Sequence, residues 1–238
     1  MFPGSSRSSG SFLDKLNQLS NVQKLMIAGV VLLLIYSAIT SGFGWGRIIA
    51  STIIVFIAFP VHEFAHAAMA VQLGDETPRQ QGRYTLNPLV HIDPLGAILI
   101  FITFFGWAKP VQWNPRNVNI DPKLASILVS LAGPVSNLIL AALALSMRDF
   151  LPNTDIAQIT LGYFVQINVL LFVFNLLPVP PLDGSHVLFA LLPGDTYSLQ
   201  RTLSQYGFFI LLGIIFIAPQ IIQVPTQVIM STLVNLFG

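Results

Sequence analysis

Apolar runs dominate the chain, separated by polar stretches rich in Pro, Gly and Asn. They extend from about Leu25 to Thr40, Arg47 to Leu73, Leu124 to Met147, Ile156 to Leu177 and Leu203 to Ala218. Runs of this kind are what helices need to cross a hydrocarbon core about 30 Å thick. The uncharged tail Ile221–Phe237 reads as a sixth span broken by Pro225. Between the second and third runs, GDETPRQQGRYTLNP has strand-like character, and the apolar piece Ala97–Phe105 is too short to span. That combination predicts a re-entrant or interfacial hairpin. The pattern as a whole predicts an all-α membrane protein of five to six transmembrane helices, with a short re-entrant, β-like hairpin region after the second helix. No repeat is visible, so residues 1–238 read as one domain with its core at about 47–190. The Ser/Gly-rich first 20 residues read as a disordered cytoplasmic tail. The run at Leu25 starts too deep for a signal peptide and reads as an uncleaved anchor.

Composition agrees. Only 9% of the residues are charged, against about 25% in a typical soluble domain, so the chain lacks the polar surface of a water-soluble globule. A net charge of +1 argues against nucleic acid as a partner. The basic residues set the orientation. With the N-terminus inside a cell membrane, Arg7, Lys15, Lys24, Arg79, Arg83, Lys109, Arg116, Lys123 and Arg201 fall on the cytoplasmic side, and Arg47 and Arg148 fall outside.

The absence of cysteine excludes disulfides, thiolate metal sites and cysteine nucleophiles together. Any metal must be held by nitrogen and oxygen, from 4 histidines and 10 carboxylates. Against that scarcity, the cluster His62-Glu63-Phe64-Ala65-His66 stands inside the second apolar run. It fits the H-E-x-x-H pattern of zinc hydrolases. Positions i and i+4 share a helix face, so both imidazoles reach one ion. Glu63 beside them is placed to act as general base toward a water that the metal acidifies. A carboxylate within a span is expensive and marks a functional site by default. Pro60, just before the motif, loosens the helix there.

A catalytic zinc site needs a third protein ligand and an open position. The candidates are His91, Asp93, Asp183 and His186. Asp183 has the strongest physical case. It follows a span ending in PVPP, where a helix must break, and Gly184 permits a tight turn. The second and fourth spans also run in the same direction, which puts Asp183 at the depth of HEFAH. The bland alternative is a helix-capping aspartate. His91 and Asp93 lie in NPLVHIDPLG, either as turn-setting residues or with His91 lining the site. His186 reads as a polar residue on the short amphipathic piece Ser185–Leu192.

HEFAH, then NPLVHIDPLG, then AGPVSN, then NLLPVPPLDG, in this order over about residues 50–190, resembles the site-2 protease family of intramembrane zinc metalloproteases. The likeness is to its compact prokaryotic branch, without PDZ or CBS domains. The resemblance implies that His62, His66 and Asp183 bind zinc and that Glu63 activates the water. It also implies an active-site role for Asn137 of AGPVSN, steadying the substrate or the oxyanion. The partners it implies are the lipid bilayer and transmembrane protein substrates. Two other readings of the residues stay open: a membrane zinc hydrolase of a small or lipid substrate, and a metal transporter. A transporter usually shows repeated halves and polar residues along several spans, and neither is visible.

Overall fold

A computed structural model describes residues 44–103, 106–194 and 196–237. The expected tail 1–20 and the first apolar run lie outside these residues. Among the described residues the protein is all-helical and forms no β-strand. Four of its helices are long and apolar enough to cross a membrane: Trp45–Gln72, Pro122–Ser146, Asp155–Asn175 and Tyr197–Ile217. They match the second to fifth apolar runs, the last starting earlier than its hydropathy suggests.

The first of the four consists of α1 (Trp45–Ile53), a wide π-helical turn (Ile54–Ala58) and α2 (Phe59–Gln72). Pro60 has no N–H to give to the carbonyl four residues back, and the ladder widens just ahead of it. Phe59 N–H reaches back five residues, to Ile54 O. Wide turns of this sort are frequent at functional sites. The other end of α2 closes with a Schellman motif. Gly74, at φ +108°, donates to Val71 O, and Asp75 N–H reaches Ala70 O.

The stretch after α2 departs from the strand-like reading. It folds into two short helical turns, α3 (Thr77–Gln80) and α4 (Pro88–His91), and a ten-residue helix, α5 (Pro94–Thr103). The reason is capping chemistry. Asn87 Oδ1 accepts from Leu89 N, and Asp93 Oδ1 accepts from Leu95 N and Gly96 N, with Pro88 and Pro94 as first residues whose missing N–H costs nothing there. The chain then turns back beside α5. A Cβ on Gly96 would lie 2.1 Å from Trp107 O, and one on Gly106 would lie 2.4 Å from Gly96 O. Only glycines allow so close a return. Among the described residues the sole β feature is an isolated bridge between Ile92 and Ala108, which joins the two ends of this excursion. Arg47, buried on α1, donates from Nη2 to Ile102 O (2.7 Å) near the C-terminal end of α5, where a cation suits the helix dipole.

Helix α6 (Pro122–Ser146) starts at Asp121, whose Oδ1 accepts from Lys123 N and Leu124 N. A single 3₁₀ turn (Arg148–Phe150) leads to α7 (Asp155–Asn175), capped by Thr154. Then follow α8 (Asp183–Leu191), α9 (Tyr197–Ile217) and α10 (Gln220–Phe237). Pro225 lies inside α10 without breaking it. With Gln220, Gln223, Gln227 and Asn235 along its length, α10 is not among the four long apolar helices.

Helices α2, α6 and α7 form the centre: α6 packs on both, and α1 packs on α7. Ile54, Val55, Ala58 and Phe59 cluster with Ile100 of α5 and with Ile167 and Leu171 of α7. Ala141 and Leu145 of α6 cluster with Leu161, Val165 and Val169 of α7 and Leu233 of α10. Small residues at these contacts (Ala58, Ala67, Ala70, Ala125, Ala141) let helix axes approach, as van der Waals packing between membrane helices requires.

Candidate metal centre

On α2 the i, i+4 spacing places His62 and His66 on one face, toward α6, both buried along with Glu63. His66 Nδ1 lies 2.6 Å from the carbonyl oxygen of Val129 on α6. A carbonyl only accepts, so Nδ1 carries a proton, and in the neutral imidazole that a metal requires Nε2 keeps its lone pair. His62 Nδ1 lies 2.6 Å from Asn137 Oδ1, an acceptor too, with the same consequence. The two bare Nε2 atoms are 3.1 Å apart.

Asp183 arrives from the opposite side. After α7 the chain turns sharply through Leu176–Leu182, where a Cβ on Gly184 would lie 2.2 Å from Leu176 O. Asp183 thereby opens α8, with its Oδ2 3.4 Å from the Nε2 of each histidine. That oxygen is buried with no hydrogen-bond donor. With both imidazoles neutral, three electron-rich atoms thus converge within 4.8 Å of one another. Such a cluster is repulsive unless a cation sits at its centre.

The spacing fits zinc. Three ligands at about 2.0–2.1 Å from one ion, at tetrahedral angles, lie about 3.3 Å apart, against the 3.1, 3.4 and 3.4 Å found here. The facing surface of α6 is hollowed to match. A Cβ on Gly133 would lie 2.2 Å from His66 Nε2 and 2.7 Å from His62 Nε2, in the space an ion needs.

A cavity of about 380 Å³ opens beside the cluster, lined among others by Glu63, His66, Ser130, Asp183 and His186. The segment that returns from α5 contributes Pro110, Val111, Gln112 and Trp113 to its lining. Val111 N–H in that segment donates to Glu63 Oε2 (2.9 Å), which holds one carboxylate oxygen of a residue that lines the cavity. Asp75 fastens the next part of the segment. Its Oδ2 accepts from Asn114 N (2.6 Å) and its Oδ1 from Asn117 Nδ2 (2.9 Å) and Thr77. Burial alone would raise the Asp75 pKa; the hydrogen bonds from Thr77, Asn114 and Asn117 outweigh it and hold the carboxyl below its ordinary value.

Of the residues singled out from the sequence, the structure brings His62, His66, Asp183 and Glu63 together. His186 lines the cavity without joining the ligand cluster. His91 is fully buried with Nε2 2.8 Å from Thr85 O, and Asp93 caps α5; neither belongs to the cluster. Asn137 is fully buried, its oxygen on His62 and its Nδ2 donating to Asn168 Oδ1 (3.0 Å). In this arrangement both ends of its amide face the protein, so it reaches the site through His62 rather than through substrate. Sequence reasoning missed Gly133, Val111 and Asn168. Only Asn168 carried a usable signal, as one of two amides, with Gln166, in the apolar run YFVQINVLLF.

The sequence signature of peptidase family M50 matches residues 151–216, which include the turn and Asp183. A Bacillus subtilis (strain 168) protein named "Putative zinc metalloprotease YwhC" is 41% identical over 177 residues, covering 70% of this chain and 80% of that protein. The chain belongs to peptidase family M50, the site-2 protease family. The Rip2 proteins of Mycolicibacterium smegmatis and Mycobacterium tuberculosis H37Rv, named in the same terms, are 33% and 32% identical. The matches cover 67% and 83% of this chain, and 63% and 71% of those proteins. No solved structure matches the chain significantly. This M50 member is a zinc metalloprotease, and with four long apolar helices among the described residues a multi-pass membrane protein.

Proposed function

We propose that this metalloprotease hydrolyses peptide bonds of transmembrane proteins at a site within the bilayer. His62, His66 and Asp183 hold the zinc, Glu63 is the general base, and Asn137 positions His62. The observation that carries the reading is the convergence of the two Nε2 atoms and Asp183 Oδ2 beside a carboxylate that faces a cavity. Bound there, zinc supplies Lewis acidity, polarising a carbonyl and acidifying a water.

The protein's own groups do the rest. Val111 N–H restrains Glu63 so that Oε1 takes a proton from the attacking water and later returns it to the leaving amine. A transmembrane substrate is helical, with its carbonyls tied up four residues along, and cleavage requires replacement partners once it unwinds. The segment at Lys109–Trp113 belongs to no strand among the described residues and borders the cavity, so an unwound peptide adds to it edge to edge. The excursion through α5 is re-entrant in this reading, since its ends meet at Ile92 and Ala108.

With α10 counted, the spans among the described residues come to five; the run Leu25–Thr40 lies outside them. The distribution of basic residues puts the N-terminus and the cavity mouth on the cytoplasmic face of the cell membrane.

The test compares wild type and Glu63→Gln on a purified single-span substrate in proteoliposomes. The variant retains zinc and loses cleavage by about 10²–10⁴-fold, the usual contribution of general acid–base catalysis. Cleavage at the wild-type rate by a folded Glu63→Gln protein contradicts the assignment.

A further inference from the structure

The two imidazoles are fixed in different ways. A backbone carbonyl, Val129 O, sets the proton of His66, and a backbone carbonyl cannot change places with a donor. His62 depends instead on the side-chain amide of Asn137. An amide can turn end for end, exchanging oxygen for NH₂ in nearly the same shape. Turned round, Asn137 would offer a donor to His62 Nδ1. The imidazole would then carry its proton on Nε2, the atom that faces the metal position. Something must decide which way Asn137 points.

We propose that Asn168 of α7 is the positioning residue that sets the metal-binding tautomer of His62, through a one-way relay of hydrogen bonds. Asn168 Nδ2 donates to Phe164 O (2.9 Å), a carbonyl on its own helix. That bond fixes the sense of the Asn168 amide and presents its Oδ1 to Asn137. Asn137 must therefore turn its Nδ2 to Asn168 (3.0 Å) and its Oδ1 to His62. The proton lies on Nδ1, and Nε2 is free to coordinate. Both amides are 0% exposed, so water cannot substitute for either. Reversing any one link would set two acceptors, or two donors, against each other away from water. Groups behind a ligand commonly fix its tautomer in this way. Here the relay crosses three helices, from α7 through α6 to α2, and begins at a backbone atom, Phe164 O.

The inference rests on the metal-site reading above, and the experiment separates the two. Zinc affinity is measured by competition with a chromophoric chelator for the full-length wild type, Asn168→Leu, Asn168→Asp and His66→Ala in detergent. Asn168→Leu keeps the bulk of the side chain and removes the relay. Its affinity falls about 10–100-fold, the range for groups behind a metal ligand. In Asn168→Asp an oxygen still accepts from Asn137, and a protonated carboxyl also gives its hydrogen to Phe164 O, so affinity stays near wild type. A role in packing alone predicts no loss of affinity in folded Asn168→Leu. Wild-type affinity there, with zinc lost in His66→Ala, overturns the relay alone; zinc retained in His66→Ala overturns the site beneath it. Should Asn168→Leu fail to fold, histidine ¹⁵N spectra of the zinc-stripped wild type decide. The relay requires the proton on Nδ1 of His62, and finding it on Nε2 overturns the proposal.

Discussion

At the scale of single residues, the metal centre depends as much on a missing side chain as on the ligands. Gly133 sits opposite the two histidines, where a methyl group would intrude to 2.2 Å from His66 Nε2. In a helix interior, alanine is intrinsically better than glycine by about 0.8–1.0 kcal/mol, so Gly133→Ala does not weaken α6 by propensity. The expected outcome is a folded, helical protein that binds no zinc, checked by circular dichroism and metal analysis on one preparation. A Gly133→Ala protein holding one zinc per chain would show that the hollow on α6 is not the ion's place. The histidine pair could be read from the sequence because i, i+4 is a local relation that any helix enforces. The glycine could not, because its partner lies on another helix and nothing in AGPVSN says which neighbour it will face. Asn137 is an intermediate case. Its motif marked it as an active-site residue, but only its neighbours show that its oxygen is committed to His62.

At the scale of elements, the connection between α2 and α6 decides whether the catalytic helix and the segment over the cavity keep their register. Asp75, directly after the Schellman turn of α2, binds that segment through Asn114 and Asn117. Its carboxyl is held below the ordinary value, so its contribution is present above the usual carboxylate range. It is lost as pH falls through the lowered pKa of the folded state. Hydrogen bonds to a charged group are worth about 1.5–3 kcal/mol each, and removing one partner strands the other. Asp75→Ala should thus lower stability by about 2–3 kcal/mol near neutral pH, with a smaller difference from wild type under acid. Thermal melts across pH check both. An equal deficit at all pH values would remove the carboxylate from the account.

The strand-like reading of this connection failed for a physical reason. Asn87-Pro88 is a helix-starting pair with Asn87 as the cap, and Thr77-Pro78 forms the first turn behind Glu76; each opens a short helical turn in the stretch that reads as strand-like. The wide turn before HEFAH was more legible, because the missing N–H of Pro60 has one local consequence whatever packs around it.

At the scale of the whole molecule, hydropathy located the spans because lipid admits few other structures. It could not say which helices touch. The pairing that matters, α2 against α6 with Asp183 delivered from the end of α7, follows from glycine contacts and carbonyl positions that emerge only on folding. Asp183 itself was accessible to topology, since both spans run in one direction and the proline-rich turn had to end the second at the depth of the first. The central claim is that two histidines of one helix and this aspartate of another share one zinc ion.

The most direct measurement is zinc retained per chain after dialysis against a weak chelator, for wild type, His66→Ala, Asp183→Ala and Glu63→Gln. Wild type and Glu63→Gln should each keep one equivalent, and the other two should keep almost none. Full retention by Asp183→Ala, or loss from Glu63→Gln, would contradict the site as assigned.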